Sequence, residues 1–276
     1  MRGVRSARTA SSTTSVPRAV SDLHPATRGF AAADVYERGR PDYPAAAIAR
    51  IVERLDLRPG RTVLDLAAGT GKLTRLLVPS GANVIAVEPV REMRAELERR
   101  VPGVATLAGT AERIPLNDGY VDAVTVAQAF HWFDADAALR EIHRVLRPAG
   151  GLALIWNARD ERDPLQAALS EIIDPLECDT PRRKQGGWKT LLAESGLFER
   201  SERVLFEHAQ PVDEQRLVER VVSISFIAAA PEKVRADVAE RVRELARAAK
   251  QPIELPYMTE LYLGFAKRGI PLAPLE

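Results

Sequence analysis

TVLDLAAGTGKLTRLL, residues 62–77, decides the fold. A short apolar run (62–67) carries one acid, Asp65. A turn with Gly69 and Gly71 follows, and then Leu73, Leu76 and Leu77 recur at helical spacing. Strand, glycine turn and helix open a βαβ unit, and the glycines let a ligand approach the backbone closely. Three kinds of ligand use such a turn. A triphosphate loop needs glycine at 66 and a hydroxyl at 73, where Leu66 and Leu73 stand, so magnesium has no ligand. A dinucleotide turn needs a third glycine where Thr74 stands, and Asp65 would face the pyrophosphate. The third kind is a nucleoside without phosphate.

The second strand, NVIAVEP (83–89), ends in Glu88, 23 residues after Asp65. An acid at that place accepts hydrogen bonds from two ribose hydroxyls, each charge-assisted and contributing about 1.5–3 kcal/mol. Asp65 suits a cationic group, directly or through water. Ribose, adenine and positive charge without phosphate describe S-adenosylmethionine.

The surrounding pattern alternates. PAAAIARIVERLDL (44–57) has helical spacing, with Pro44 suited to a first turn. A helix is predicted over 90–101, with Met93, Leu97 and Val101 on one face. Strands are predicted at 104–109, 121–130 and 151–157, with a helix over 134–150 capped by Asp134 or Asp136. Continuous apolar strands separated by helices mean a parallel sheet covered on both faces. The remainder reads as helices at 164–176, 187–195, 213–227 and 231–250, with further strands at 203–212 and 253–268. The expected fold is α/β: a Rossmann-like, seven-stranded, mostly parallel sheet with helices on both faces and an added helical lid. Residues 1–28, rich in Ser, Thr and Arg, read as a disordered tail. One domain is expected over 29–276, with lid insertions at about 164–195 and 213–250.

Composition narrows the function. Net charge is +1, from 39 basic and 38 acidic residues, so no global field favours nucleic acid or a membrane surface. One cysteine, Cys178, excludes a disulfide framework and a cysteine-based zinc site; no metal is expected. No apolar run reaches the ~18 residues of a membrane span, and a cytoplasmic protein is expected.

Four ordered segments then carry a resemblance: VLDLAAGTGKLTRLL, VIAVEPVREMRAEL, GTAERIPLNDGYVDAVTVAQAFHWFD and EIHRVLRPAGGLALIWN. Together, over about residues 30–265, the chain resembles class I S-adenosylmethionine-dependent methyltransferases of the small-molecule branch, ubiquinone/menaquinone-type or trans-aconitate-type. The resemblance implies that Asp65, Ala67, Gly69 and Gly71 form the first cofactor motif. It puts Glu88 on the ribose hydroxyls with Pro89 and Met93 beside the adenosine. Thr110, Ala111 and Glu112 would border the adenine, and Gln128 and Ala129 the reactive methyl. DVYERGRPDYP (34–44) resembles a segment that folds over the cofactor, with Tyr36, Arg40 and Tyr43 as candidates and Arg40 suited to the cofactor carboxylate. Met93 reads equally as core, Glu112 as a turn acid, and Lys72 as a solvated helix residue.

In-line displacement at a methyl group gains from positioning alone, up to about 7–11 kcal/mol, so a catalytic base is optional. His131, in AFHWFD after the fourth strand, is the one candidate base; it could instead pack with Trp132 to shape the pocket. Tyr43, Trp132, Trp156, Trp188 and Phe226 are candidate substrate walls. PRRKQ (181–185) could attract an acidic acceptor or simply be solvated. A small molecule is the expected acceptor, with O, N or C as the accepting atom. A non-catalytic cofactor-binding module and an NAD-dependent oxidoreductase are the alternatives.

Overall fold

A computed structural model of the chain describes residues 37, 39–177, 192 and 194–269. The expectations for the tail, Tyr36, Cys178, the 181–185 loop, Trp188 and most of the 187–195 helix lie outside the described residues.

Seven strands form one sheet: β1 (Thr62–Leu66), β2 (Asn83–Val87), β3 (Ala105–Leu107), β4 (Val121–Ala127), β5 (Leu146–Arg159), β6 (Phe198–Val212) and β7 (Ile253–Ala266). Their spatial order is β3-β2-β1-β4-β5-β7-β6. The first five are mutually parallel, and β7 runs antiparallel to both β5 and β6. This is the expected Rossmann-like α/β sheet.

Alternation along each strand sorts the core onto two faces. Val63, Ala123, Ala153 and Ile155 face α1 (Ala45–Arg54) and α2 (Lys72–Leu77), where Ile51, Leu73 and Leu77 meet them. Leu64, Leu66, Val124, Val126, Leu152 and Leu154 face the opposite side and α4 (Ala135–Val145), which follows α3 (Arg91–Arg100). Asp134 caps α4, its side chain accepting from the Ala137 N–H at 3.2 Å. The helix expected over 134–150 stops at Val145 and β5 begins at Leu146. Pro148 explains the difference, since the residue before a proline avoids helical dihedrals. Strand four likewise ends at Ala127 rather than 130: Gln128 has φ +57° and a single 3-10 turn (Phe130–Trp132) follows.

β7 starts well beyond β5. Arg159, the last residue of β5, is in register with Tyr257, and Ile253–Pro256 continue past it, paired only with β6. This β6–β7 ribbon overhangs the carboxyl edge of the sheet. Four helices pack on it: α5 (Pro164–Ile173), α6 (Glu214–Val222), α7 (Ser225–Ala228) and α8 (Glu232–Ala248). Leu169, Leu217, Val221, Ile227, Val238 and Val242 join Ile253, Leu255 and Tyr257 in a third apolar cluster, separate from the two sheet faces. Among the described residues no helix is long and apolar enough to cross a membrane, and no cluster of three His, Cys, Asp or Glu could hold a metal ion.

Candidate active site

The carboxyl edge of β1, β2 and β4 gathers most of the residues expected to bind a cofactor. After β1 the chain turns through three left-handed positions, Ala67 (φ +54°), Gly69 (φ +57°) and Gly71 (φ +85°). Gly71 is needed for space as well: a Cβ there would fall 3.0 Å from Leu97 and 3.1 Å from Val101, both beside α3. At Gly69 a Cβ would meet nothing within 4 Å, so the loop is open on that side.

Two buried acids hold this loop. Asp65 is fully buried, and its carboxylate accepts from the hydroxyls of Thr74 (2.6 Å) and Thr125 (3.0 Å). Burial pushes its pKa up to about 6 against those hydrogen bonds. Asp65 is expected from the sequence to suit a cationic group, directly or through water; in the structure both of its oxygens are engaged by threonine hydroxyls. Its role in this geometry is to tie β1 to α2 and β4. Glu88, only 5% exposed, accepts the N–H of Gly69 and of Val90, each at 2.9 Å, and burial pushes its pKa up to about 7. Each carboxylate oxygen keeps a second lone pair for a ligand.

The neighbouring positions divide. Thr110, three residues past the end of β3, has a buried hydroxyl oxygen with no hydrogen-bond partner among the described residues. Ala111 and Ala129 are buried small residues beside it on the α4 face. Glu112 accepts the Asp134 N–H at 3.0 Å, closing the start of α4. The carbonyls of Glu88 and Pro89 both accept from Arg94 at 2.7 Å. Met93 is 2% exposed, on the buried face of α3. Gln128 sits between β4 and β5, its backbone N–H on Ile155 and its amide 3.4 Å from the Asn157 carbonyl.

Glu37 and residues 39–44 cross this edge as a strap. Glu37, 4% exposed, accepts from Thr70 in the loop and from Arg75, and pairs with Lys72 at 3.2 Å. Asp42 pairs with Lys72 at 3.1 Å and with Arg75. Asn157 donates to the Asp42 carbonyl at 3.1 Å. Lys72 is thus no solvated residue; its side chain is 14% exposed between two carboxylates. Half-buried Arg40 lines an open cavity of about 530 Å³ on the strap's outer side, together with Lys72, Arg75 and His208.

The expected substrate walls also divide. Tyr43 packs in the core under α1 and α2. Trp156, 1% exposed, lies in the α4-side core edge-on to Tyr262, so both are structural rather than free walls. Trp132 and Phe226 are half-buried, the first beside His131, the second among the helices on the ribbon. The Trp156 indole N–H donates to His131 Nδ1 at 3.4 Å. That bond puts the neutral ring's proton on Nε2 and makes His131 a donor there.

A model of the methyltransferase domain matches residues 64–154, from β1 through β5. The chain is 42% identical over 237 residues to an uncharacterized methyltransferase of Mycobacterium tuberculosis, covering 83% of this chain and 91% of that protein. A demethylmenaquinone methyltransferase of Beutenbergia cavernae is 42% identical over 130 residues, 45% of this chain and 54% of that one. A solved structure from Anaeromyxobacter dehalogenans, assigned as a type II methyltransferase, superposes with TM-score 0.61 at 24% identity over 82% of this chain and 97% of that chain. At that identity the likeness is one of fold.

Proposed function

Because the chain belongs to the class I S-adenosylmethionine-dependent methyltransferases, we propose that the carboxyl edge of β1, β2 and β4 holds S-adenosylmethionine and passes its methyl group to a small-molecule acceptor. The observation that carries this reading is the pairing of Glu88 with the Gly69 N–H at the lip of a loop open in front of Gly69. Ribose hydroxyls fit the remaining lone pairs of Glu88. The unpartnered Thr110 hydroxyl, one strand beyond, fits an adenine nitrogen.

Bound there, the cofactor supplies a methyl carbon on a cationic sulfur: the acceptor's lone pair forms the new bond, the C–S electron pair goes to sulfur, and S-adenosylhomocysteine leaves. The chain's part is positioning. Asp65 acts through Thr74 and Thr125 to hold the turn of Ala67, Gly69 and Gly71. Pro89 and Met93 support the adenosine side, with Ala111 and Glu112 beyond it. Arg40 would serve the cofactor carboxylate at the methionine end, with Tyr36 as the further candidate before the strap, and Gln128, Ala129 and Trp132 would border the methyl. His131 orients the acceptor as an Nε2–H donor; a base role requires giving up the Trp156 bond. The helices on the β6–β7 ribbon serve as the acceptor lid, with Phe226 as a wall. The relative that methylates a demethylmenaquinone and the balanced charge of the chain both support a small molecule over nucleic acid.

The test is a thermal shift with S-adenosylhomocysteine, NAD and ATP in parallel, on wild type and Glu88→Ala. Ligand at about 100 times Kd adds about 2.7 kcal/mol. A shift with S-adenosylhomocysteine alone, lost in the variant, is the expected result. A larger shift with NAD would overturn the reading.

A further inference from the structure

One charge in the ribbon region has no counterpart. Arg220, on α6, is 8% exposed. Its Nε donates to the Tyr257 hydroxyl at 3.1 Å, and the guanidinium lies 5.9 Å from the Tyr257 ring centroid. Its Nη1 is buried without a hydrogen-bond partner, and no carboxylate among the described residues pairs with it. A buried cation without a counter-ion is among the costliest arrangements a fold can keep, and it is resolved when an anion enters and accepts the idle N–H groups.

The surroundings fix that guanidinium in place. His208 stacks on the Tyr257 ring at 5.5 Å, and burial lowers its pKa, so it brings no second charge. The strap passes hard against the same turn of α6: a Cβ on Gly39 would fall 2.8 Å from the Glu219 carbonyl and 2.9 Å from the Arg220 Cα. Tyr257 stands level with Arg159 at the end of β5. Counting strands from Glu88, just past β2, across β1, β4 and β5 to β7 gives four spacings, roughly 19 Å sideways, and from β4 two spacings, roughly 10 Å; Tyr257 also stands about four residues, roughly 13 Å, beyond the level where β4 ends. Arg220 therefore lies on the far side of β4 from the adenosine subsite.

We propose that Arg220 is the anchor for a carboxylate of the methyl acceptor, so that this enzyme takes small organic acids and methylates them at a different atom. The anchored carboxylate is not the nucleophile, because the guanidinium engages it and it sits about two strand spacings across from, and about four residues beyond, the end of β4. The proposal rests on the methyltransferase reading of the neighbouring edge.

The experiment follows the melting temperature of the full chain with formate or its uncharged match formamide. Ionic strength is held constant, with and without saturating S-adenosylhomocysteine. Wild type, Arg220→Met and Tyr257→Phe are compared. Formate is expected to raise the wild-type melting temperature by about 2–4 °C, equally in the loaded and unloaded protein, and formamide to leave it unchanged. Arg220→Met is expected to lose the formate response and keep the full response to S-adenosylhomocysteine. Tyr257→Phe, which keeps the ring and the packing, is expected to weaken the apparent formate affinity several-fold, and carries the test should Arg220→Met fail to fold. No formate response in wild type, or an equal one in both variants, overturns the proposal. A formate response that disappears on loading, with the S-adenosylhomocysteine response lost in Arg220→Met, also overturns it and gives Arg220 to the cofactor's own carboxylate. A wild type blind to S-adenosylhomocysteine refutes the cofactor reading instead, and the formate arms still judge Arg220.

Discussion

The two ends of the site are built differently. At β1, β2 and β4 the polar groups answer one another within the fold: Asp65 with Thr74 and Thr125, Glu88 with Gly69 and Val90, Glu37 with Thr70, Lys72 and Arg75. On the β6–β7 ribbon an apolar helical cluster adjoins a guanidinium whose Nε has the Tyr257 hydroxyl and whose Nη1 has no partner among the described residues. Under the proposed function the first end is preorganised by backbone and acids for the cofactor, and the second is a packed frame around a guanidinium with one unanswered donor. A site can thus separate what must be rigid from what must choose.

The sharpest way to break this comparison is Glu88→Ala. Two charge-assisted hydrogen bonds of about 1.5–3 kcal/mol each are removed, so affinity for S-adenosylhomocysteine should fall by roughly 10²–10⁴, measured by calorimetry. Phe226→Ala, at the other end, should leave that affinity within about twofold and raise the acceptor KM. If both variants weaken cofactor binding alike, the division does not exist.

Glu37→Ala comes next. It removes the buried one of the two carboxylates that Lys72 and Arg75 share and leaves them only exposed Asp42, a loss of about 1–3 kcal/mol once their partial exposure is discounted, visible as a lower melting temperature. The pH dependence sharpens the same end. The folded-state pKa values of Asp65 and Glu88, about 6 and about 7, lie above their ordinary values of 3.8 and 4.5. Between about pH 4 and 7 the folded protein holds protons that the unfolded chain has released, so stability falls as pH rises through that window and levels off above it. Glu88→Gln should flatten the upper part of the slope in pH-resolved denaturant titrations; an unchanged slope would mean that Glu88 ionises freely.

The smallest effect concerns Ala67. Its φ of +54° costs a residue with a Cβ what glycine does not feel. Ala67→Gly should stabilise the protein by about 0.5–1 kcal/mol, with cofactor affinity within about twofold.

How much of this was legible in the sequence follows from range. The parallel half of the sheet could be read because burial on both faces leaves unbroken runs such as TVLDL and VDAVTVA. The loop could be read because its glycines and acids are neighbours along the chain. The strap could not: Glu37 meets Thr70 across 33 positions, and Lys72 has no acid within a helical turn to betray its partner. Trp156 and Tyr43 read as pocket walls because aromatic residues look alike in sequence whether they face a ligand or a core. Arg220 looked like any charge on an amphipathic helix, since only tertiary packing buries it against Tyr257.

The ribbon has one more consequence. Val212 and Ile253 are directly opposite one another in the β6–β7 ladder, so everything from 213 to 252 leaves and rejoins the sheet through a single rung. An insert whose two ends are that close can be exchanged without moving either strand. Residues 213–252 are placed as a cassette: under the proposed function, a different acceptor reader could be spliced there onto the same methyl-donating base.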